Sequence, residues 1–257
     1  MNIKATFKTT KEDIKAVFGI ETKLEPVDTD RFIEMGREEE RAKIWDDIQM
    51  KGTRKIYTRA FAYWYADNWK PKYDIRATET NSMFYNFHRS DGKKIKLPEL
   101  LEEAGIVFDT SKALRNWTQM FAYSDISHAG TIDCTGATQL TSAFMQAAHL
   151  EQLYLKIKED GTTTWGSSFS SLPKLSDFKI ISGRIGQSFN IQGAPSLTVD
   201  SIKNIIEHLM NYKGTQQEGV YTITFATDCW DRLEESGKAP DGNTWQEYIN
   251  SSLGWKT

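Results

Sequence analysis

The chain has 257 residues, of which 39% are hydrophobic and 26% are charged, so it can bury one large core or two smaller ones. The net charge of -3, with Lys and Arg scattered among acidic residues, gives no reason to expect nucleic acid as a partner. No run approaches the roughly 18 apolar residues of a membrane span. Two cysteines without a CxxC pattern, and four histidines that never pair at ligand spacing, predict no disulfide framework, no metal site and no cofactor.

Residues 1–30 form the first predicted unit, an attachment arm. The stretch IKATF is typical of a strand and Pro26 interrupts the pattern, but the segment has no apolar core of its own. In a structural protein such an arm docks onto a neighbouring subunit, and we expect that role here. The first twenty residues also lack the apolar stretch of a secretion signal, which favours assembly in the cytoplasm.

Residues 31–52 are predicted to form an acidic helix. Asp28 or Asp30 is its N-cap candidate, and Gly52 is its stop. The apolar stripe is sparse and consists of Phe32, Met35, Ile44, Trp45 and Ile48. A stripe this thin leaves two interpretations open, a lid over the first repeat or a short self-associating stem that would make a homo-oligomer.

Residues 53–195 repeat a pattern in which a Phe follows a small or flexible residue. The anchors are Phe61, Phe84, Phe121, Phe144, Phe169 and Phe189. Four of the five intervals between anchors fall within the roughly 20 to 29 residues of a leucine-rich repeat. The long interval contains KLPELLEEAGIVFDTSKAL, which predicts an inserted turn and a short helix. Thirteen Phe residues give some even spacing by chance, but the polar-small-Phe context recurs at consecutive anchors.

This periodicity predicts an α/β fold, a leucine-rich-repeat solenoid with short parallel strands and irregular or helical returns. The predicted strand centres Ile132, Leu155 and Ile180 keep nearly the same step as the anchors. Each unit is too small to bury its own apolar side. Stacked units are therefore expected to share a parallel sheet, with the anchor Phe side chains in a column beneath it.

Residues 196–257 are predicted to be a capping module. A helix is expected after its N-cap Thr198, with Asp200 in the first turn and Gly214 just beyond the last turn. Its apolar positions are Val199, Ile202, Ile205, Ile206, Leu209 and Met210. The alternating segment VYTITF, residues 220–225, predicts a strand that extends the ladder. Together these elements would cover the apolar end and the strand edge of the last repeat.

Several segments resemble the units of BspA-like leucine-rich repeats, which occur in bacterial surface proteins and in phage and prophage structural proteins. The segments are TETNSMFYNF, RNWTQMFAYS and LTSAFMQAAHLEQLYL. Residues 186–225 and the final Gly254-Trp255 are similar to the closing module of repeat proteins encoded among tail genes of phages of Gram-positive gut bacteria. The likeness covers residues 35–257 and departs from the pattern at the 85–117 insertion and at a missing Cys in the second unit.

The resemblance implies a phage or prophage structural protein, located in the virion as a tail fibre, baseplate or capsid decoration. Its partners would be other virion subunits, reached through the arm, and a carbohydrate or protein of the host cell surface. The alternative is a bacterial surface or secreted adhesin of the same repeat type. The missing secretion signal favours the virion, because phage subunits assemble in the cytoplasm.

Catalytic motifs are absent from the sequence. There is no GxSxG, Walker or HExxH pattern. Asp125, His128 and Cys134 come nearest to a nucleophile arrangement, but their separations fit a repeat loop followed by a strand. We therefore expect no enzyme and no catalytic residue, and we expect both cysteines to be buried as small hydrophobic side chains.

The binding candidates lie on the predicted strands and in an aromatic segment. The side chains expected to alternate outward are Thr131, Asp133, Tyr154, Lys156, Asp177, Lys179, Thr222 and Thr224. Our primary candidates are Tyr154, Lys156 and Lys179, and the second set is Tyr63, Trp64 and Trp69. Trp117, Tyr123 and Trp165 fit either core packing or outward stacking. The mixture suits carbohydrate or a polar protein surface, and the alternative is a solvated sheet without a partner.

Overall fold

The computed structural model describes residues 75–77, 81–89, 93–104, 106–108 and 117–257. The predicted arm, the acidic helix, the anchor Phe61 and the aromatic segment around Trp64 lie outside the described residues. The predictions made for them therefore stay predictions.

The described residues form a mixed α/β fold. Its strands are β1 Ile75–Ala77, β2 Ile95–Lys96, β3 Ile106–Phe108, β4 Ile126–Asp133, β5 Gln152–Lys156, β6 Asp177–Ser182, β7 Phe189–Asn190 and β8 Ile223–Thr224. Its helices are α1 Leu97–Ala104, α2 Val199–Glu207, α3 Thr227–Glu235 and α4 Trp245–Glu247, which continues into a π-helical turn, Tyr248–Ser252. The main sheet has four parallel strands in the order β2-β4-β5-β6. The helix predicted within the insertion is α1, and β3 after it pairs with β1 outside this sheet.

The register of the main sheet agrees with the predicted strand centres. Ile132 pairs with Leu155, and Leu155 pairs with Ile180. All three side chains are at most 4% exposed, because one face of each strand packs into the core. The period-two alternation of the sequence therefore identifies the buried face.

Behind this face the anchor Phe rings form a column. Phe84, Phe121, Phe144, Phe169 and Phe189 are each at most 1% exposed. The first three are stacked nearly parallel with ring centroids 5.6 Å apart, and Phe144 and Phe169 follow at 6.2 Å. Phe189 ends the column at 5.1 Å from Phe169 with its ring tilted by 49°. These spacings lie in the range where offset aromatic rings attract one another.

The turns that carry the Phe rings are hydrogen-bonded to one another. The amide of Phe84 donates to the carbonyl of Met120 at 2.9 Å, and that of Phe121 donates to Ala143 at 2.8 Å. The residues two positions after Phe84, Phe121, Phe144 and Phe169 have φ between +53° and +61°. Non-Gly residues in this region cost about 1–3 kcal/mol each, and the bonds between turns offset that strain.

The capping helix begins as predicted and ends earlier. The Thr198 hydroxyl accepts from the amide of Ser201 at 3.3 Å, which confirms the N-cap. The helix stops at Glu207, so the predictions that Leu209 and Met210 belong to it and that Gly214 follows its last turn are wrong. The reason is a tertiary contact: the amide of Ile185 donates to the His208 carbonyl, and the amide of Met210 donates to the Ile185 carbonyl. These two bonds compete with the next helical turn.

The predicted strand 220–225 is shorter and lies elsewhere. Only Ile223 and Thr224 are in strand conformation, and they pair with β7 in a separate two-stranded sheet. The prediction that this segment extends the main ladder is therefore wrong. The outer edge of β6 is occupied by α2 instead, so the position beside the sheet is already filled.

Side chains of α2 satisfy the backbone of the β6 edge. The Ser201 hydroxyl accepts from the backbone amide of Phe178 at 3.0 Å, and Asn204 Oδ1 accepts from the backbone amide of Ile180 at 2.7 Å. Asn204 Nδ2 also donates to the backbone carbonyl of Ile180 at 3.3 Å. An unpaired strand edge is a template for association, and here a helix closes it with two polar side chains.

Phe144→Ala should lower the free energy of unfolding by about 3–5 kcal/mol, because it empties a position between two stacked rings in the core. Denaturant titration measures the change. Glu159→Ala, at an exposed loop position, is the control and should stay within about 0.5 kcal/mol. If Phe144→Ala unfolds at the same denaturant concentration as the parent, the column does not stabilise the fold.

Asn204→Ala should lower the free energy of unfolding by about 1–3 kcal/mol, because the Ile180 amide and carbonyl lose their partner. Hydrogen exchange of the Ile180 amide should accelerate in the same variant. Glu207→Ala, on the same helix with an exposed side chain, is the matched control. Unchanged exchange at Ile180 would show that Asn204 does not protect the edge.

Candidate binding face of the sheet

The candidate site is the outward side of β4, β5 and β6, which we call the outer face. Register pairs Thr131 with Tyr154 and Tyr154 with Lys179, so these side chains form one row across three strands. Asp133 and Lys156 form the next row. Adjacent parallel strands lie about 4.8 Å apart, which brings the primary candidates Tyr154, Lys156 and Lys179 together on one surface.

Tyr154 lies at the centre of a hydrogen-bonded group on the outer face. Its hydroxyl donates to Asp177, and the side-chain amide of Gln152 donates to Asp177 Oδ2 at 3.1 Å. Lys179 Nζ lies 5.6 Å from the centroid of the Tyr154 ring, within cation–π range. The hydrogen bond that the hydroxyl donates to Asp177 raises the pKa of Tyr154, so the phenol stays neutral. The side chain is thereby held in one orientation.

The two lysines of the outer face keep their charge available. Within the described part of the chain, neither Lys156 nor Lys179 forms an ion pair. Asp133, the register partner of Lys156, accepts instead from the amide of Thr135 at 3.0 Å and from its hydroxyl. The ammonium of Lys156 can therefore meet an acceptor on a partner without first breaking a salt bridge.

A bulge adds an apolar side chain to the outer face. Leu155 pairs with Ile180, but Lys156 pairs with Ser182, so β6 holds one extra residue. Ile181 is that residue, and its side chain is 47% exposed. Two residues oppose one at such a bulge, which re-aims a side chain. Ile181 is not among the residues predicted to face outward, although two consecutive isoleucines interrupt the alternation of DFKIIS and could have indicated it.

Other predicted candidates are not part of this face. Thr222 and Thr224 belong to the β7–β8 region, so the prediction that they lie on the outward side of the main ladder is wrong. Trp117 and Trp165 are at most 1% exposed and pack against anchor Phe rings, which makes them core residues. Tyr63, Trp64 and Trp69 lie outside the described residues.

The possible nucleophile arrangement is not assembled. Asp125 contacts His88, with Oδ2 and Nδ1 2.9 Å apart, whereas His128 Nδ1 is 3.0 Å from the Ser127 hydroxyl. The Cys134 side chain is fully buried, and this burial raises the pKa of its thiol, so the reactive thiolate is disfavoured. Cys229 is also buried, and the two cysteines are free thiols, as predicted from their number and spacing.

Two other types of site, a membrane span and a metal centre, are absent from the described ranges. No helix there is long and apolar enough to cross a membrane. No group of three His, Cys, Asp or Glu residues in those ranges is placed to hold a metal ion. Comparisons with protein-family models, with curated proteins and with solved structures found no match.

Proposed function

We propose that the chain is a binding protein without catalytic activity, built as a leucine-rich-repeat solenoid that presents its outer face to a partner. The observation that carries this proposal is the arrangement around Tyr154, in which Asp177 and Lys179 fix the ring while Lys156 forms no ion pair with any described residue. A sheet face that only contacts solvent does not need half-buried side chains held in such a fixed arrangement. The equal stacking of anchor Phe rings and the shared register of three strands support the repeat architecture.

The partner in this proposal is a polar surface of a host cell, made of carbohydrate or protein. The outer face offers two ammonium groups as hydrogen-bond donors, two carboxylates as acceptors and one exposed isoleucine. The Tyr154 ring is already covered by Lys179, which disfavours stacking on a sugar ring and favours recognition through hydrogen bonds and charge. The mixed charges suit neither lipid nor nucleic acid.

The biological setting that we propose is a phage or prophage particle, with the chain as a structural subunit of the tail, baseplate or capsid decoration. The sequence resemblance supports this setting. A bacterial surface adhesin with the same outer face is the second candidate. Genomic neighbourhood separates the two, because tail or capsid genes alongside agree with a virion and a sortase or secretion locus contradicts it.

Replacing Tyr154, Lys156 and Lys179 together, by Ala or Ser, should weaken binding to host cells or cell-wall fractions at least tenfold, about 1.4 kcal/mol. Binding of labelled protein to intact cells measures this. Tyr154 is half-buried and hydrogen-bonded, so the triple variant should also lose about 1–2 kcal/mol of stability while staying folded. Lys238→Ala with Lys256→Ala, both exposed and outside the outer face, controls for the loss of positive charge. Equal binding by the triple variant would exclude the outer face.

Deleting residues 1–30 should abolish incorporation into particles, because these residues are proposed to attach the chain to other virion subunits. The melting temperature should stay nearly unchanged, since the segment has no apolar core of its own. Mass spectrometry of purified particles measures incorporation. Incorporation of the truncated chain at the level of the parent would contradict the attachment role and leave the outer face untouched.

A further inference from the structure

Ile181 differs from the other side chains of the outer face because it is both apolar and exposed. Within the described ranges, Ile181 and Val220 are the two large hydrophobic side chains that are exposed, at 47% and 55%. Val220 lies in a turn before β8, outside the three strands of the outer face. Single exposed apolar residues are common on proteins, so the surroundings of Ile181 decide whether it has a role.

The backbone of β6 sets the direction of this side chain. Alternate residues of a strand point to the same side, so Asp177, Lys179 and Ile181 follow one another on the outer face at intervals of about 6.6–6.8 Å. The bulge at Ile181 then lets Ser182 pair with Lys156 of β5. Ile181 is therefore next to Lys179 on its own strand and next to Lys156 on the neighbouring strand.

These neighbours surround Ile181 with positive charge. Lys156 and Lys179 form no ion pair with any described residue, and the same holds for Arg184, three residues beyond Ile181. One guanidinium nitrogen of Arg184 donates to the backbone carbonyl of Glu207 at 2.9 Å. That bond fixes the side chain but provides no carboxylate to balance its charge.

The two carboxylates of the outer face lie further from Ile181 and are engaged in hydrogen bonds. Asp177 is four residues earlier, about 13 Å along the strand, and accepts from two side chains of β5. Asp133 lies on β4, two strands away from β6, and accepts from the amide and the hydroxyl of Thr135. The part of the outer face around Ile181 thus combines an apolar side chain with three positive charges.

We propose that Ile181 is the apolar anchor of the outer face and that the partner is a protein with an acidic surface. The inference rests on the binding function proposed for this face. In protein interfaces, an anchor side chain enters a pocket of the partner, and polar contacts around it exclude water. Ile181 fills such a pocket, while carboxylates at its rim accept from the ammonium groups of Lys156 and Lys179.

The same residues disfavour carbohydrate as the partner. The Tyr154 ring is covered by Lys179, so this part of the face has no free aromatic surface on which a sugar ring could stack. An isoleucine side chain offers no hydrogen bond, and a sugar hydroxyl placed against it would lose its bond to water. Burial of Ile181 against an apolar side chain of a protein is favourable, because both apolar surfaces leave water.

Binding of the labelled full chain to intact host cells tests the anchor with Ile181→Thr. Thr keeps the branch at Cβ and the preference for strands, but it replaces an apolar group by a hydroxyl. Ile181→Thr should weaken binding about tenfold, the size of effect expected from an anchor residue. Its melting temperature should stay within about 2 °C of the parent, because the position is exposed. Val220→Thr, the matched control, should bind as the parent does.

Two treatments of the cells and one pair of variants test the nature of the partner. Digestion with proteinase K should abolish binding, whereas periodate, which cleaves the diols of sugars, should preserve it. Raising NaCl from about 50 mM to about 500 mM should weaken binding of the parent about tenfold, because salt screens the charges at the rim. Lys156→Glu should bind more weakly than Lys156→Gln, because it adds repulsion from the acidic partner.

The outcomes separate this inference from the proposed function. If Ile181→Thr binds as the parent does while the combined replacement of Tyr154, Lys156 and Lys179 weakens binding, the outer face binds but Ile181 is not its anchor. Binding that survives proteinase K and is lost after periodate would assign the face to carbohydrate and overturn the inference. Equal binding by Lys156→Glu and Lys156→Gln would contradict an acidic partner. If the parent does not bind, the proposed function and this inference both fail.

Discussion

Hydrogen bonds between successive turns are the constraint on which the rest of the structure depends. The turns of Phe84, Phe121 and Phe144 each hold non-Gly residues at positive φ, and the bond from the Phe amide to the next turn offsets that strain. Because the bonds fix the offset between units, each Phe ring is placed above the next. The strands on the other side of the core follow in register, as the pairing of Ile132, Leu155 and Ile180 shows. The outer face is then a consequence of the turns.

Any such stack has open ends, and the described chain uses two different solutions at its C-terminal end. On the sheet side, Ser201 and Asn204 satisfy the β6 edge with side chains, so the helix takes the place of a further strand. On the turn side, Phe189 lies on Phe169 with ring centroids 5.1 Å apart, and the amide of Leu172 donates to the Gly193 carbonyl at 2.8 Å. The sheet side is thus closed by side chains of a helix, whereas the turn side is closed by one further Phe ring and the backbone that follows it.

Local periodicity predicted the parts of the fold that repeat. The anchor Phe residues, the strand centres and the N-cap Thr198 follow from spacing and residue type alone, because each satisfies a local rule. The end of the capping helix could not be predicted, since it is set by bonds from Ile185, more than twenty residues away in sequence. The same holds for the Tyr154 group: the spacing predicted that Tyr154 and Lys179 face outward, but its bond to Asp177 depends on the register between two strands.

The extra residue in β6 makes the chemistry of the outer face depend on chain length as well as on residue type. Ile181 shifts the pairing so that Ser182, and not its neighbour, meets Lys156. Removing Ile181 would restore an unbroken alternation with Ser182 still opposite Lys156, and it would take the exposed isoleucine out of the outer face with every other residue retained. Relatives of this chain could therefore differ in binding through a single insertion or deletion, and an alignment scored by substitutions alone would miss it.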